Sequence, residues 1–200
     1  MIPELLPDDD AAFSPDYASA RERIASLAGE CATASIAYAN PNVGPKGELL
    51  ATETYWFGPR DARDVLVLVS ATHGVEGFCG SAAAADWLLT GGPDRLGPST
   101  AALIVHAINP HGFAWLRRTT EEGIDLNRNC IDFGGPLPEN AGYDELATAF
   151  VPRSLDAETL AEADARISAY RDRHGPVGLE QARSGGQYTH PEGLFYGGTA

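Results

Sequence analysis

The stretch DVLVLVSATHGVEGFCGSAAAADWLL, residues 64–89, decides the fold. It opens with a continuous apolar run, 65–69, of the kind that predicts a central strand buried on both faces. A polar segment with glycines follows, and then an alanine-rich run that predicts a helix. The stretch therefore predicts a strand and a helix, with polar side chains at the carboxyl end of the strand.

The flanking sequence extends this unit into a sheet. TAALIVHAINP, residues 100–110, predicts a second buried strand that ends before its proline. LLATETYWF, residues 49–57, is rich in residues that favour strands and predicts a third. Strand–helix–strand is the unit of a parallel or mixed sheet with helices outside it. We therefore predict an α/β fold with a mixed, mostly parallel sheet and helices on both faces.

Helices are predicted at both ends of the chain. Residues 14–29 carry a helix signature, in which Ser14 can cap, Pro15 suits the first turn and Gly29 follows the last apolar residue. A polar, alanine-rich helix is predicted from Asp156 to His174. Residues 40–48 and the chain beyond Gly175 are predicted to be loops. We expect one domain over residues 1–200.

Composition excludes several classes of protein. The net charge of −14 and the pI near 4.6 argue against binding to nucleic acid or to anionic membranes. Residues 1–17 lack the features of a secretion signal, and no apolar stretch approaches the roughly 18–20 residues of a membrane span. Three widely spaced cysteines indicate neither a disulfide framework nor a cysteine-based zinc site. A reducing, cytoplasmic setting is therefore expected, whereas oligomeric state is left open.

Three polar clusters follow predicted strands. They are THGVEG at 72–77, NPHGFAWLRRT at 109–119 and DLNRN at 125–129. In open α/β sheets ligands bind outside the carboxyl ends of the strands. We therefore expect these clusters to contain the functional site.

His73 and Glu76 in the first cluster are candidate zinc ligands. Imidazole and carboxylate both bind zinc, and Gly74 and Gly77 permit the sharp bend that would turn the two side chains toward one point. The alternative is structural, because His73 can cap the strand and Glu76 is favourable at a helix N-terminus in any case.

Arginines are concentrated in the second and third clusters. Arg117, Arg118 and Arg128 could grip a carboxylate or stabilise developing negative charge on oxygen. Each could instead form an ordinary surface ion pair. In a chain with a net charge of −14, arginines beside candidate metal ligands suggest a pocket for an anion.

The ordered set HGVEG, NPHGF and DLNRN resembles the zinc carboxypeptidase superfamily, which includes deacylases of the aspartoacylase type. It looks most like a bacterial branch whose members carry NPxGFAWLRR, DLNRN and GLFYGG segments. The matching segments cover about residues 65–129 and 193–198. The resemblance implies a zinc-carboxypeptidase-like α/β fold and a zinc-dependent hydrolase that cleaves an amide or peptide bond next to a carboxylate.

The resemblance also implies roles for individual residues. His73 and Glu76 match two zinc ligands, and Asn127 and Arg128 match the pair that binds the substrate carboxylate. Arg118 matches the arginine that polarises the carbonyl oxygen, with Arg117 as the alternative. The substrate would be a small molecule or a peptide with a carboxylate.

Two expected elements of such a site are missing from the sequence. The resemblance calls for a second histidine ligand in an H-x-G segment on a later strand and for a glutamate base, and neither pattern occurs. His190 is a weak substitute because it lies in a loop and precedes a proline. We therefore expect residues 1–200 to be a partial domain that ends before these elements, and whether it is active by itself is left open.

Two other functions stay open. Cys79 opens the predicted helix and could be a nucleophile at a strand-to-helix turn, although it could equally be a small packing residue. The chain could also be a non-catalytic, carboxylate-binding protein that uses its arginines without a metal.

Overall fold

The computed structural model describes residues 12–199, which divide into two compact units, one ending at Thr120 and one beginning at Glu121. Residues 1–11, where the sequence shows no secretion signal, lie outside the described residues. In the first unit the elements are α1 (Tyr17–Gly29), β1 (Ala34–Val43), β2 (Leu49–Phe57), β3 (Asp64–Val69), α2 (Glu76–Leu89), a short 3-10 turn (Pro93–Arg95), β4 (Thr100–His106) and α3 (Pro110–Ala114). The expectation of a single domain stays a prediction.

The first unit is built on a four-stranded mixed sheet in the order β1-β2-β4-β3. β1 and β2 pair antiparallel across a tight turn, in which Gly47 has a φ of +81°. β2 and β4 are also antiparallel, and only β3 and β4 are parallel. The prediction of an α/β fold with a mixed sheet is confirmed. The prediction of a mostly parallel sheet is wrong, because the short β1–β2 connection can only join antiparallel strands.

Helices α1 and α2 cover one face of this sheet. Ile24 and Ala28 of α1 and Ala85 of α2 pack there against Phe57 and Ile104. The opposite face is open, with Ile36, Tyr38, Val65, Val67 and Val69 all exposed. Helices on both faces are therefore not observed for the described residues.

β3 is an edge strand of the sheet, although its sequence predicts a buried central strand. Val67 is 52% exposed and Val69 is 49% exposed. The apolar run does form a strand and does pair parallel to β4. The predicted burial was wrong because side-chain composition favours a strand but does not decide whether the strand has a partner on both sides.

The start of the first helix differs from the prediction. α1 begins at Tyr17 and is capped by Asp16, whose Oδ1 accepts from the backbone N–H of Ser19 at 2.9 Å. Ser14 and Pro15 therefore precede the helix. Asp16 makes the better cap because its carboxylate is further stabilised by Lys46 at 2.8 Å.

The second unit is helical, with α4 (Leu126–Asn129), α5 (Ala141–Phe150) and α6 (Ala157–Ser184). α5 and α6 share a core that includes Leu146, Tyr170 and Leu179. Gly175 interrupts α6 with a φ of +75°, and Pro176 then opens a second helical segment. The predicted loop after Gly175 is wrong up to Ser184, because proline is favourable in the first turn of a helix.

Within residues 12–199, no helix is long and apolar enough to cross a bilayer.

Candidate metal centre

The polar segments after β3 and β4 lie side by side, as the parallel pairing predicts. The Ser70 carbonyl accepts from the backbone N–H of Ile108 at 3.0 Å, and the Ala71 carbonyl accepts from that of Asn109 at 3.1 Å. Ala71 has a φ of +60°, which a residue with a side chain rarely adopts. The chain therefore leaves β3 through a strained turn that is locked to the end of β4.

His73 and Glu76 meet just beyond this turn. His73 Nδ1 lies 3.0 Å from Glu76 Oε2. His73 is 8% exposed, whereas the Glu76 side chain is 68% exposed and belongs to the first residue of α2. The pair therefore has a fixed, largely buried imidazole and a carboxylate open to solvent.

Two glycines allow the His73–Glu76 loop to pack against the α3 segment. A Cβ on Gly74 would overlap the carbonyl oxygens of Gly112 and Arg117. A Cβ on Gly77 would lie 2.7 Å from the ring of Phe113. These glycines were predicted to permit a bend, and their contacts show that close approach of the two segments is the stronger requirement.

Asn109 fixes the second polar segment, residues 109–119, in position. It was not identified as a site residue from the sequence. Its Oδ1 accepts from the backbone N–H of Gly112 at 2.8 Å and caps α3. Its Nδ2 donates to the Thr72 carbonyl at 3.5 Å, so one side chain touches both segments. Asn109 is only 2% exposed. The signal was present in the sequence, because Asn before Pro is a common helix start.

Arg117 and Arg118 follow α3, and the backbone of Arg117 lies beside the His73–Glu76 loop. The Arg117 carbonyl accepts from the backbone N–H of Gly74 at 2.9 Å, and its own N–H donates to the Gly112 carbonyl at 2.8 Å. Both residues are exposed. The structure thus brings the backbone of Arg117 against the loop that carries the candidate ligands.

Asn127 and Arg128 lie on α4 in the second unit. Asp125 is fully buried and caps this helix by accepting from the Asn127 backbone N–H at 3.0 Å. The Arg128 guanidinium donates to the Ser184 carbonyl through Nη2 at 2.8 Å and packs over the ring of Phe195. Arg128 therefore fastens the end of α6, a structural contact that the sequence did not predict.

The donor chemistry at His73 and Glu76 fits a zinc ion in part. Two ligand atoms on a tetrahedral zinc lie about 3.3 Å apart when each metal–ligand bond is about 2.0–2.1 Å. The observed separation of 3.0 Å is close to that value. Residues 12–199 contain no group of three or more His, Cys, Asp or Glu side chains that could hold a metal ion. The structure thus supplies two adjacent donors but not a full ligand set.

Neither Cys79 nor His190 adds to this pair. Cys79 lies within α2, three residues after its first residue, and not on the strand-to-helix turn that a nucleophile of this kind occupies. His190 belongs to the second unit, where its Nδ1 lies 2.8 Å from Thr189 Oγ1 and 3.4 Å from Asp144 Oδ1.

Comparison with known proteins gives the family. A model of the family described as "Protein of unknown function (DUF2817)" matches residues 13–200. The chain belongs to the DUF2817 family. None of the curated proteins matches this DUF2817 chain.

Comparison with solved structures gives weak similarities to this DUF2817 chain. One of them is to the crystal structure of a Zn-dependent exopeptidase from Parabacteroides distasonis, with 11% sequence identity and a TM-score of 0.31. The match covers 100% of the DUF2817 chain and 79% of the exopeptidase chain. A TM-score this low does not establish a shared fold.

Proposed function

We propose that this DUF2817 chain belongs to a zinc-dependent hydrolase that cleaves an amide or peptide bond next to a carboxylate, of the carboxypeptidase or deacylase kind. One observation carries the proposal: His73 Nδ1 and Glu76 Oε2 lie 3.0 Å apart at the carboxyl end of β3. The position is the one at which open α/β sheets bind ligands. The order of the HGVEG, NPHGF and DLNRN segments supports the same function.

Under this proposal His73 and Glu76 are two of the zinc ligands. When bound, zinc would lower the pKa of a coordinated water and polarise the scissile carbonyl. His73 suits this role because its ring is nearly buried and held in one place, so little freedom is lost when it binds a metal. Glu76 suits it because an exposed carboxylate can turn from its hydrogen bond toward an ion.

The arginines are proposed to handle negative charge on the substrate. Arg118, with Arg117 as the alternative, would stabilise the oxyanion that forms as the carbonyl is attacked. Asn127 and Arg128 would bind the substrate carboxylate, for which a guanidinium offers a two-pronged grip. Three of the five N–H groups of Arg128 donate to the Ser184 and Asn127 carbonyls. The other two could donate to a substrate carboxylate.

Metal binding tests the proposal directly. Zinc affinity is measured for the apo-protein with a chromophoric competitor, and the variants His73→Ala and Glu76→Gln are compared with the wild type. We expect each variant to lose affinity by at least about 100-fold, since even residues outside the ligand set are worth about 10–100-fold. His174→Ala, which alters a histidine on α6 in the second unit, is the control and should bind as the wild type does. Equal affinity in all four proteins would refute the assignment.

Hydrolysis assays distinguish an N-acylated amino acid from a peptide as the substrate. N-acetylated amino acids and dipeptides are incubated with the zinc-loaded protein, and release of the amine is followed. Cleavage that disappears in chelator, returns with zinc and falls in Arg118→Ala supports the function. Cleavage that persists in chelator would point to another mechanism.

A non-catalytic carboxylate-binding protein is the second candidate. The observation that favours it is the lack of a third ligand for the His73–Glu76 pair within residues 12–199. Calorimetric titration with N-acetylglutamate in the presence of chelator separates the two. Binding that is unchanged by chelator and weakened by Arg117→Ala or Arg118→Ala would favour this second function.

A further inference from the structure

A buried polar pair joins α2 to β4 behind the candidate metal centre. Ser81 Oγ on α2 lies 3.0 Å from His106 Nε2 on β4. Ser81 is 4% exposed and His106 is fully buried. A hydrogen bond in such surroundings is strong and also costly to break, because its groups cannot turn to water instead.

This pair is a directional contact among buried α2 side chains that are mostly small, alongside the ring contacts of Phe78 with Phe113 and of Trp87 with Phe57. The other buried residues of α2 are Gly77, Ala82, Ala84, Ala85 and Leu88. Alanine and glycine present little shape for neighbouring side chains to interlock with, so they do little to prevent the helix from sliding or rotating. A hydrogen bond of fixed length between Ser81 and His106 opposes both movements.

The pair lies close in sequence to both segments of the candidate centre. Ser81 follows Glu76 by five residues, which is about 7.5 Å along a helix axis. His106 precedes Asn109 by three residues, and Asn109 contacts the carbonyl of Thr72, next to His73. A shift of α2 against β4 would therefore move Glu76 relative to His73.

We propose that Ser81 and His106 are positioning residues, which hold Glu76 at its observed distance from His73 by fixing α2 against β4. Their importance for metal binding rests on the proposed function, whereas their effect on the His73–Glu76 loop does not. Both residues are sealed in the interior, so neither would touch the substrate.

Metal affinity and geometry provide the first test. Cobalt is used as the probe, and its affinity and visible absorption bands are compared in Ser81→Ala, His106→Leu and His106→Gln. We expect about a tenfold loss of affinity and altered bands in Ser81→Ala and His106→Leu. His106→Gln should restore most of the affinity, because its side-chain amide can place a polar nitrogen near the position of Nε2. Leu88→Ala destabilises the far end of the same helix and should change neither the affinity nor the bands.

Amide hydrogen exchange provides a second test that needs no metal. Ser81→Ala should accelerate exchange about tenfold in residues 77–80, at the N-terminal turn of α2, whereas Leu88→Ala should act on the C-terminal turn. If wild type binds cobalt and Ser81→Ala binds it equally well, the positioning role is overturned and the proposed function stands. If wild type binds no metal, the proposed function fails, and exchange at residues 77–80 alone decides the positioning role. Unchanged exchange there would overturn it.

Discussion

The burial of His106 predicts a specific dependence of stability on pH. Desolvation lowers the pKa of this imidazole from 6.5 to about 4. Glu53 on β2 opposes this shift and Arg21 on α1 adds to it, but burial is the largest cause. Between pH 6.5 and 4 the His106 imidazole is therefore protonated in the unfolded chain but neutral in the folded chain.

The sign and size of the effect follow from this difference in proton binding. Above pH 6.5 the imidazole is neutral in both states, so it makes no pH-dependent contribution. As the pH falls from 6.5 to about 4, the free energy of unfolding decreases by about 1.4 kcal/mol per pH unit, or about 3 kcal/mol in total. Below pH 4 both states are protonated and the contribution is constant.

His106→Gln isolates this contribution because it removes the titrating group. Urea unfolding is followed by tryptophan fluorescence at intervals between pH 4 and 7.5, in chelator, for wild type and variant. All three tryptophans, Trp56, Trp87 and Trp115, lie in the first unit together with His106, so the signal reports the correct unit.

Wild type and variant contain the same carboxylates. Subtracting one stability curve from the other therefore removes the contribution of these carboxylates to the pH dependence. We expect wild type to gain about 3 kcal/mol relative to the variant as the pH rises from 4 to 6.5, and a flat difference above that. A difference that is flat throughout, or that falls as the pH rises, would show that His106 is not a buried neutral imidazole.

Three further substitutions test other contacts. Gly74→Ala places a methyl group against two backbone carbonyls. We expect the free energy of unfolding, measured in urea, to fall by about 2–3 kcal/mol and zinc affinity to fall with it. Wild-type stability and affinity would contradict the packing of the His73–Glu76 loop. Tyr17→Phe removes the hydroxyl that bonds both backbone groups of Ala51, and should cost about 1–3 kcal/mol in the same assay, whereas a cost near zero would show that β2 does not need it. Gln187→Ala removes a buried amide whose Oε1 accepts from the backbone N–H groups of Thr189 and His190. Hydrogen exchange of these two amides should accelerate at least about tenfold, while exchange in α5 stays slow. Unchanged exchange would mean that this loop keeps its structure without the Gln187 side chain.

Local patterns predicted the elements around the site well. The apolar runs of β3 and β4 and the strand pattern of β2 appear where the sequence places them, because side-chain preference acts over a few residues. β1 was not predicted, since part of it lies in the stretch that was predicted to be a loop, residues 40–48. α5 was also not predicted, because it is short and follows a loop rich in glycine and proline.

The neighbours of each element could not be predicted from such patterns. The sequence of β3 resembles a central strand, yet the strand lies at an edge, because pairing depends on residues far away in the chain. The contact between Ser81 and His106 spans 25 residues, and nothing in either local sequence marks it as a pair.

The sequence by itself determined that a strand ends before His73, that a second ends before Asn109, and which side chains at those ends could bind a metal or an anion. Only the tertiary structure decided that the two ends lie side by side, that His73 and Glu76 approach to 3.0 Å, and that Gly74 fits beneath two carbonyls. The reason is physical. Strand and cap preferences come from each residue and its immediate neighbours, whereas the separation of two donor atoms depends on how α2 and α3 pack against the sheet.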